Sequence, residues 1–268
     1  MKKCLLFILM FSAVVFVIPG CKKKPSEQAP APVPEVSQQE KEAASQSVKQ
    51  ESTEVLFYDD FKGYKEGSNG SPVWTIEGGQ AKVLKDCFEI RGSGTDGWTL
   101  EGVYTGKQSW TDYVFSCRVN LVSFGSDWRD GVWIAVRHAD KENMYTIAFY
   151  ECGIYLHKIS GGVSTTDTCP LKSLLGENLG MKDQRWHNLK VTVVKNSITV
   201  NLDGKDVLSA VDDNWNGSAY IAKGGIALGA RQCQMPEEKR EDMKARRGEY
   251  PPDCVAIYQN VKVEKTGK

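Results

Sequence analysis

Eight side chains carry the chemistry by which proteins hold sugars: Trp98, Trp128, Asp130, Trp133, Arg137, Tyr150, Tyr155 and His157. Flat aromatic rings cover the C–H face of a pyranose, while planar polar groups bond its hydroxyls. All but Trp98 fall within residues 128–157, so the strands of that stretch decide whether the rings form a platform or fill a core. Two carboxylates nearby, Asp130 and Glu151, are the pair to consider for glycoside cleavage, which needs an acid and a base or nucleophile about 5 to 9.5 Å apart. His138 and His157 are placed to line the same aromatic surface, and the spacing of the three histidines does not suit a zinc site. Asp59, Asp60 and Asn260 are candidate calcium ligands, although calcium takes about six to eight oxygens and these supply only part of a shell. No other cofactor is implied.

The cysteines come next. Cys87, Cys117, Cys152, Cys169, Cys233 and Cys254 remain once Cys4 and Cys21 are set aside. An even set in an exported domain reads as disulfides, with the connectivity open from sequence alone. Locality favours Cys152–Cys169 around Gly161 and Gly162, and Cys233–Cys254 at the base of a polar insertion, leaving Cys87–Cys117. Metal binding is the alternative, but no Cys-x-x-Cys spacing occurs.

Export is read from the first twenty residues. Lys2 and Lys3 precede an apolar run over residues 5–18, which ends at Ile18-Pro19-Gly20-Cys21. The run is short for a membrane span and has the form of a secretory signal. An aliphatic residue, then Gly, then Cys resembles a bacterial lipobox, so residues 1–20 are expected to be removed and Cys21 lipidated. The lipid bilayer is then a partner, since two or three acyl chains anchor stably. No Asp follows Cys21, which favours the outer membrane of the cell envelope. Residues 21–54 lack aromatics and are rich in Pro, Ser, Gln and Glu, too polar to offset the entropy of ordering. They read as a spacer.

Residues 55–268 are long enough for one large core. Lys plus Arg and Asp plus Glu both number 34, which leaves no electrostatic footprint for nucleic acid. Strand signals recur at residues 114–122, 131–138, 144–151, 153–159, 188–195, 197–203, 224–231 and 256–265, separated by turn residues. Leu189, Val191 and Val193 alternate with polar residues, as do Ile198, Val200 and Leu202, which gives those strands one wet face. Residues 131–159 carry large side chains on both faces. They are either covered on both sides or present one aromatic-lined surface. Antiparallel strands without βαβ alternation imply an all-β, two-sheet sandwich. The insertion after Cys233 predicts a short exposed helix, with Pro236 at its start, Glu237 and Glu238 in its first turn and Gly248 beyond its end.

The residues also carry a resemblance. FYDDFKG at residues 57–63, then Trp74, Gly78, Gly79 and Val83, then DYVFSCRV, DGVWIAVRHADKENMYTIAFYECGIYLHKI, GGIALGAR and IYQNVKV follow one another in order. Among them the W-H-x-L-x-V…V-x-L-D-G stretch from Trp186 to Gly204 is the most recognisable. The pattern resembles the concanavalin A-like lectin/glucanase jelly roll, in its LamG-like and 3-keto-disaccharide-hydrolase-like branch. That resemblance implies the sandwich fold and leaves function open among sugar binder, glycoside-acting hydrolase and protein-interaction scaffold. The Glu-x-Asp-x-Glu triplet of the catalytic glucanases is missing. Where the keto-disaccharide branch carries Asn-Ser-Gly, this chain has Asp130-Gly131-Val132. The sequence therefore favours a lipid-anchored, lectin-like module that binds carbohydrate at the envelope without cleaving it.

Overall fold

A computed structural model describes residues 53–92, 101–125, 127, 129–150, 153–165, 172–173, 181, 183–233, 236–249 and 253–267. The domain is the compact unit Glu51–Lys268. Residues 1–52, with the expected signal, Cys21 and most of the expected spacer, lie outside the described residues, as do Trp98, Trp128, Glu151, Cys152 and Cys169.

Two antiparallel sheets build a sandwich. The first has the order β14 (Lys205–Val211), β13 (Ser197–Leu202), β12 (His187–Val194), β6 (Tyr113–Ser123), β16 (Val255–Lys265), β4 (Cys87–Arg91) and β3 (Gln80–Leu84), with β1 (Val55–Asp59) also paired to β16. The second has the order β10 (Val163–Ser164), β9 (Gly153–Ser160), β8 (Asn143–Tyr150), β7 (Gly131–Asp140), β15 (Gly225–Arg231), β5 (Gly102–Thr105) and β2 (Thr75–Ile76), with β11 (Lys172–Ser173) on β9. Tight turns follow residue type. Asp203 and Gly204 (φ 51° and 84°) join β13 to β14, and Gly161 and Gly162 (φ 57° and 77°) join β9 to β10. These are two-residue hairpins that need positive φ at both positions.

Period-2 alternation sorts the faces. Val191, Val193, Val200, Phe115 and Val263 of the first sheet meet Val132, Ile134, Ile147, Phe149, Leu156, Ile226 and Leu228 of the second in one core. A second, smaller cluster of Trp133, Ala135, Met144, Ala148, Tyr150, Ile159 and Ala227 lies on the outer face of the second sheet. Strands β7, β8 and β9 are thus buried on both faces, which is why the sequence shows no polar side there. The insertion forms helix α1 (Glu237–Arg247), stopped by Gly248 at φ 74°, whose N–H donates to the Lys244 carbonyl at 2.7 Å.

The predicted disulfides Cys87–Cys117 and Cys233–Cys254 are not formed, and all four residues are thiols. Alternation explains the first pair. Phe88 and Ile90 point into the core, so Cys87 points outward, while Cys117 lies in the core between Phe115 and Val119. Strand β16 also runs between their two strands, a separation of about 9.5 Å where a disulfide tolerates about 7 Å. At the insertion, the Cys254 thiol instead faces the Gly131 carbonyl at 3.6 Å.

His187 opens β12 between two carboxylates, Asp203 on Nδ1 at 2.7 Å and Asp183 on Nε2 at 2.9 Å. Trp186 is half-buried, with the Arg118 guanidinium 4.9 Å over its ring. Burial opposes charging of His187, but the two carboxylates outweigh it and raise its pKa above 6.5. Burial likewise works against ionisation of Asp183, yet His187 and Arg185 hold its carboxyl at about 2; Asp203 is lowered too, with burial outweighed by the Asn188 N–H and His187. Stability from the imidazolium is full below pH 6.5 and is lost as pH rises through the higher folded value. The carboxylate contribution is present above 3.8 and is lost as pH falls through the lower folded values. Urea denaturation is therefore expected to find His187→Gln about 1–2 kcal/mol less stable than the parent near pH 5. The difference should shrink toward pH 9. An unchanged difference across that range would contradict the clamp.

Candidate functional site

On the outer face of the second sheet, strand register sets the side chains in rows. One row runs Gly102, Gly229, Trp133, Ala148, Tyr155, and the next runs Tyr104, Ala227, Ala135, Thr146, His157. Arg231, Gly131 and Tyr150 form a third. Large rings thus alternate with Gly, Ala and Thr, whose small size leaves the space that the rings occupy.

Trp133 uses that room. A Cβ on Gly229 would lie 2.0 Å from its Cε2 and 2.2 Å from its Nε1, and one on Gly102 would lie 2.9 Å from its Cζ2. The indole therefore lies across β15 and β5, and only glycine fits beneath it. Its Nε1–H is buried and has no hydrogen-bond partner among the described residues, in a residue only 3% exposed. By contrast, the core indole N–H of Trp74 donates to Asp59 Oδ2 at 2.8 Å. A buried donor without an acceptor costs about 1–3 kcal/mol, so the Trp133 N–H is a position that a ligand oxygen would satisfy.

Other rings flank it. The rings of Tyr150 and Tyr155 are 5.2 Å apart, and Tyr155 stacks on His157 at 6.0 Å and 6°. Arg231 donates from Nη1 to the Tyr150 hydroxyl at 2.7 Å and covers its ring at 5.5 Å. Burial, aided by the Arg231 charge, pushes the His157 pKa down to about 4, so its imidazole is neutral at physiological pH. Toward β5, Tyr104 stacks on His138 at 5.0 Å and 25°, and His138 Nε2 meets Glu77 Oε2 at 3.1 Å. The structure thus brings Trp133, Tyr150, Tyr155 and His157 together on one face.

Asp130 and Arg137 serve elsewhere. Asp130 accepts the backbone N–H of Cys233 on Oδ1 at 2.6 Å and that of Asp127 on Oδ2 at 2.9 Å, which ties the β6–β7 loop to the chain after β15. The β-bulge between Val136 and Asp140, with Arg137 at φ 49°, turns Arg137 off the platform. Its guanidinium donates to the carbonyls of Thr111, Lys195 and Ile221 and to Asp112. It is a buried clamp with four of its five N–H groups engaged. The candidate calcium ligands have protein partners of their own. Asp59 Oδ1 accepts the Phe61 N–H, and its Oδ2 accepts Tyr64 Oη–H and the Trp74 indole. Asp60 pairs with Lys62, while exposed Asn260 lines the outer face of the first sheet with Tyr58. Among the described residues no group of three or more His, Cys, Asp or Glu is placed to hold a metal ion.

Sequence reasoning did not single out Gly102, Gly229, Tyr104, Arg231 or Glu77. The signal was present in β15, where every second residue on the platform face, Gly225, Ala227 and Gly229, is small. Such a strand face is cleared for a ring from its neighbour.

Comparisons with known proteins agree with this architecture. The sandwich is similar to the laminarinase catalytic domain of Thermotoga maritima, with a TM-score of 0.51 at 14% identity over 81% of this chain and 99% of that one. It is similar as well to a Bacillus subtilis protein with a galectin-like fold, with a TM-score of 0.51 at 11% identity over 79% of this chain and 96% of that one. A domain described with gut-microbial endo-acting O-glycanases that initiate mucin breakdown aligns with a TM-score of 0.50 at 13% identity, over 80% of this chain and 100% of that one. These likenesses establish a jelly-roll fold. A search of curated proteins finds no match. The sequence profile of one family matches residues 53–237, from ahead of β1 through the site strands to the start of α1, and the chain belongs to that family, the 3-keto-α-glucoside-1,2-lyase-like domains.

Proposed function

We propose that this domain binds a saccharide on the outer face of its second sheet, with Trp133 as the stacking surface, and that Cys21 tethers it to the cell envelope. One observation carries the reading: an indole laid over two glycines, with a buried N–H lacking an acceptor among the described residues. A sugar hydroxyl oxygen would accept that N–H, and the C–H face of a sugar suits an indole ring. Family membership directs the reading toward α-glucosides, including those oxidised at C3. Of the carboxylate pair considered for hydrolysis, Asp130 accepts a backbone N–H on each oxygen and Glu151 lies outside the described residues.

A glycan array followed by titration calorimetry tests the site. Trp133→Ala should weaken the best ligand by at least about tenfold, or about 1.4 kcal/mol, with an unchanged circular dichroism spectrum. Equal affinity in a folded variant would remove the platform from the account. The tether has its own test. Cys21→Ser is expected to move the protein from the membrane pellet to the soluble fraction, and retention in the pellet would contradict lipid anchoring.

A further inference from the structure

Strand register also lines up polar side chains on the outer face of the first sheet, across the core from Trp133. One row runs Tyr58, Lys262, Ser116, Lys190, Asn201, from β1 through β16, β6 and β12 to β13. The next holds Gln259, Arg118 and Asn188. Two hollows of about 440 and 360 Å³ share Ser116 and Lys190 and so form one groove along β6. Its floor is made by short side chains, Val114 and Ser116, between longer ones on the neighbouring strands.

The groove is cationic. Arg118, Lys190, Lys262 and Lys265 stand along it, and Glu264 is its one carboxylate among the described lining residues. Glu264 pairs with Lys262 at 2.7 Å, and Glu54 pairs with Lys265 at 3.2 Å, which leaves Arg118 and Lys190 in excess. Arg118 is held in place. Its Nη1 donates to Gln259 Oε1 at 3.2 Å, and its guanidinium lies 4.9 Å over the Trp186 ring. One of its five N–H groups is thereby engaged, and the planar fork that grips carboxylates is fixed. A bulge in β16 between Gln259 and Lys262, with Asn260 at φ 51°, brings the exposed Asn260 to the same groove. The Asn201 amide donates to Asp206, its neighbour on β14, at 2.8 Å. Side-chain amides and the Tyr58 ring, in a residue 54% exposed, are partners for sugar hydroxyls and C–H faces. Strands β12, β6 and β16 are each paired on both sides, so an extended peptide finds no main-chain edge here.

We infer that this groove binds a uronate polysaccharide strand, with Arg118 and Lys190 on its carboxylates and the asparagine amides on its hydroxyls. The site is separate from the Trp133 platform and does not depend on it.

The test titrates the full chain, in detergent, with tetragalacturonate and with its methyl ester, which keeps the rings and removes the charge. The acid is expected to bind, more weakly as salt is raised, because exposed charges are screened. The ester should bind at least about tenfold more weakly than the acid at low salt. Lys190→Gln, at an exposed position, should weaken the acid at least about fivefold, and Lys190→Arg should restore it. In ¹H–¹⁵N spectra the side-chain amides of Asn188 and Asn260 should move with the acid while the Trp133 indole stays in place. Equal affinity for acid and ester would overturn the inference, as would undiminished affinity in Lys190→Gln. Oligoglutamate of equal charge binding as tightly would overturn it by showing attraction to charge without recognition of sugar. Binding to phosphatidylglycerol vesicles without binding to tetragalacturonate would give the groove to a lipid surface instead. A shift at Trp133 in place of the asparagines would put the acid on the other sheet and also contradict the assignment.

Discussion

Replacing Asp212 by alanine is expected to destabilise the domain by about 3–5 kcal/mol, a large share of the roughly 5–15 kcal/mol that holds a typical domain folded. Its carboxylate and the Lys158 ammonium meet at 2.9 Å with both side chains wholly buried. The same carboxylate receives the Tyr145 hydroxyl on Oδ2 at 2.5 Å and the Trp215 N–H on Oδ1 at 2.8 Å. Lys158 donates further to the Ser218 carbonyl at 2.8 Å, and the Ile221 N–H donates to Tyr145 Oη at 3.0 Å. One carboxylate thus ties β8, β9 and the segment between β14 and β15. Alanine leaves an ammonium in the core without a counter-charge and two donors without an acceptor. Combining Asp212→Leu with Lys158→Met should recover much of the loss, because exchanging a whole buried ion pair for apolar groups is often neutral. Urea melts of the two variants check this; a double variant as unstable as the single would show that the cost lies elsewhere.

Gly229→Val is expected to destroy saccharide binding and to cost about 1–3 kcal/mol of stability. The new Cβ would enter the Trp133 ring at 2.0 Å from Cε2, so the indole must leave its place across β15. Adding Trp133→Ala should restore stability without restoring binding, with a coupling of about 0.5–3 kcal/mol between the two positions. Denaturation and calorimetry on the four proteins of the cycle read both quantities. Additive stabilities would mean that ring and glycine do not share the space assigned to them.

How far the sequence revealed all this depended on where period-2 alternation holds. In β12 and β13 it holds without a break, and Leu189, Val191, Val193, Ile198, Val200 and Leu202 all face the core as their spacing implied. Asp203-Gly204 and Gly161-Gly162 turn where their residue types require. Alternation fails at the β7 bulge, so Arg137, in step with Trp133 in sequence, ends between the sheets instead of beside the indole. Strands β2, β10 and β11 have two residues each and exist through their neighbours, leaving no pattern of their own to read. The cysteines misled for a related reason. Locality and parity ignore which face a residue occupies, and the faces of Cys87 and Cys117 are fixed by Phe88, Ile90, Phe115 and Val119. Aromatic residues marked the site region, whereas its shape came from glycines and alanines that carry no chemistry of their own.

The central claim, that a sugar rests on the Trp133 indole and accepts its N–H, is tested most directly by the ¹H–¹⁵N resonance of that indole, assigned with Trp133→Phe and followed during titration with an α-glucoside bound on the array. The account predicts that this resonance shifts downfield and saturates with the calorimetric affinity, while that of Trp74, bonded to Asp59 in the core, stays in place. A saturating titration that leaves the Trp133 resonance unmoved would contradict it.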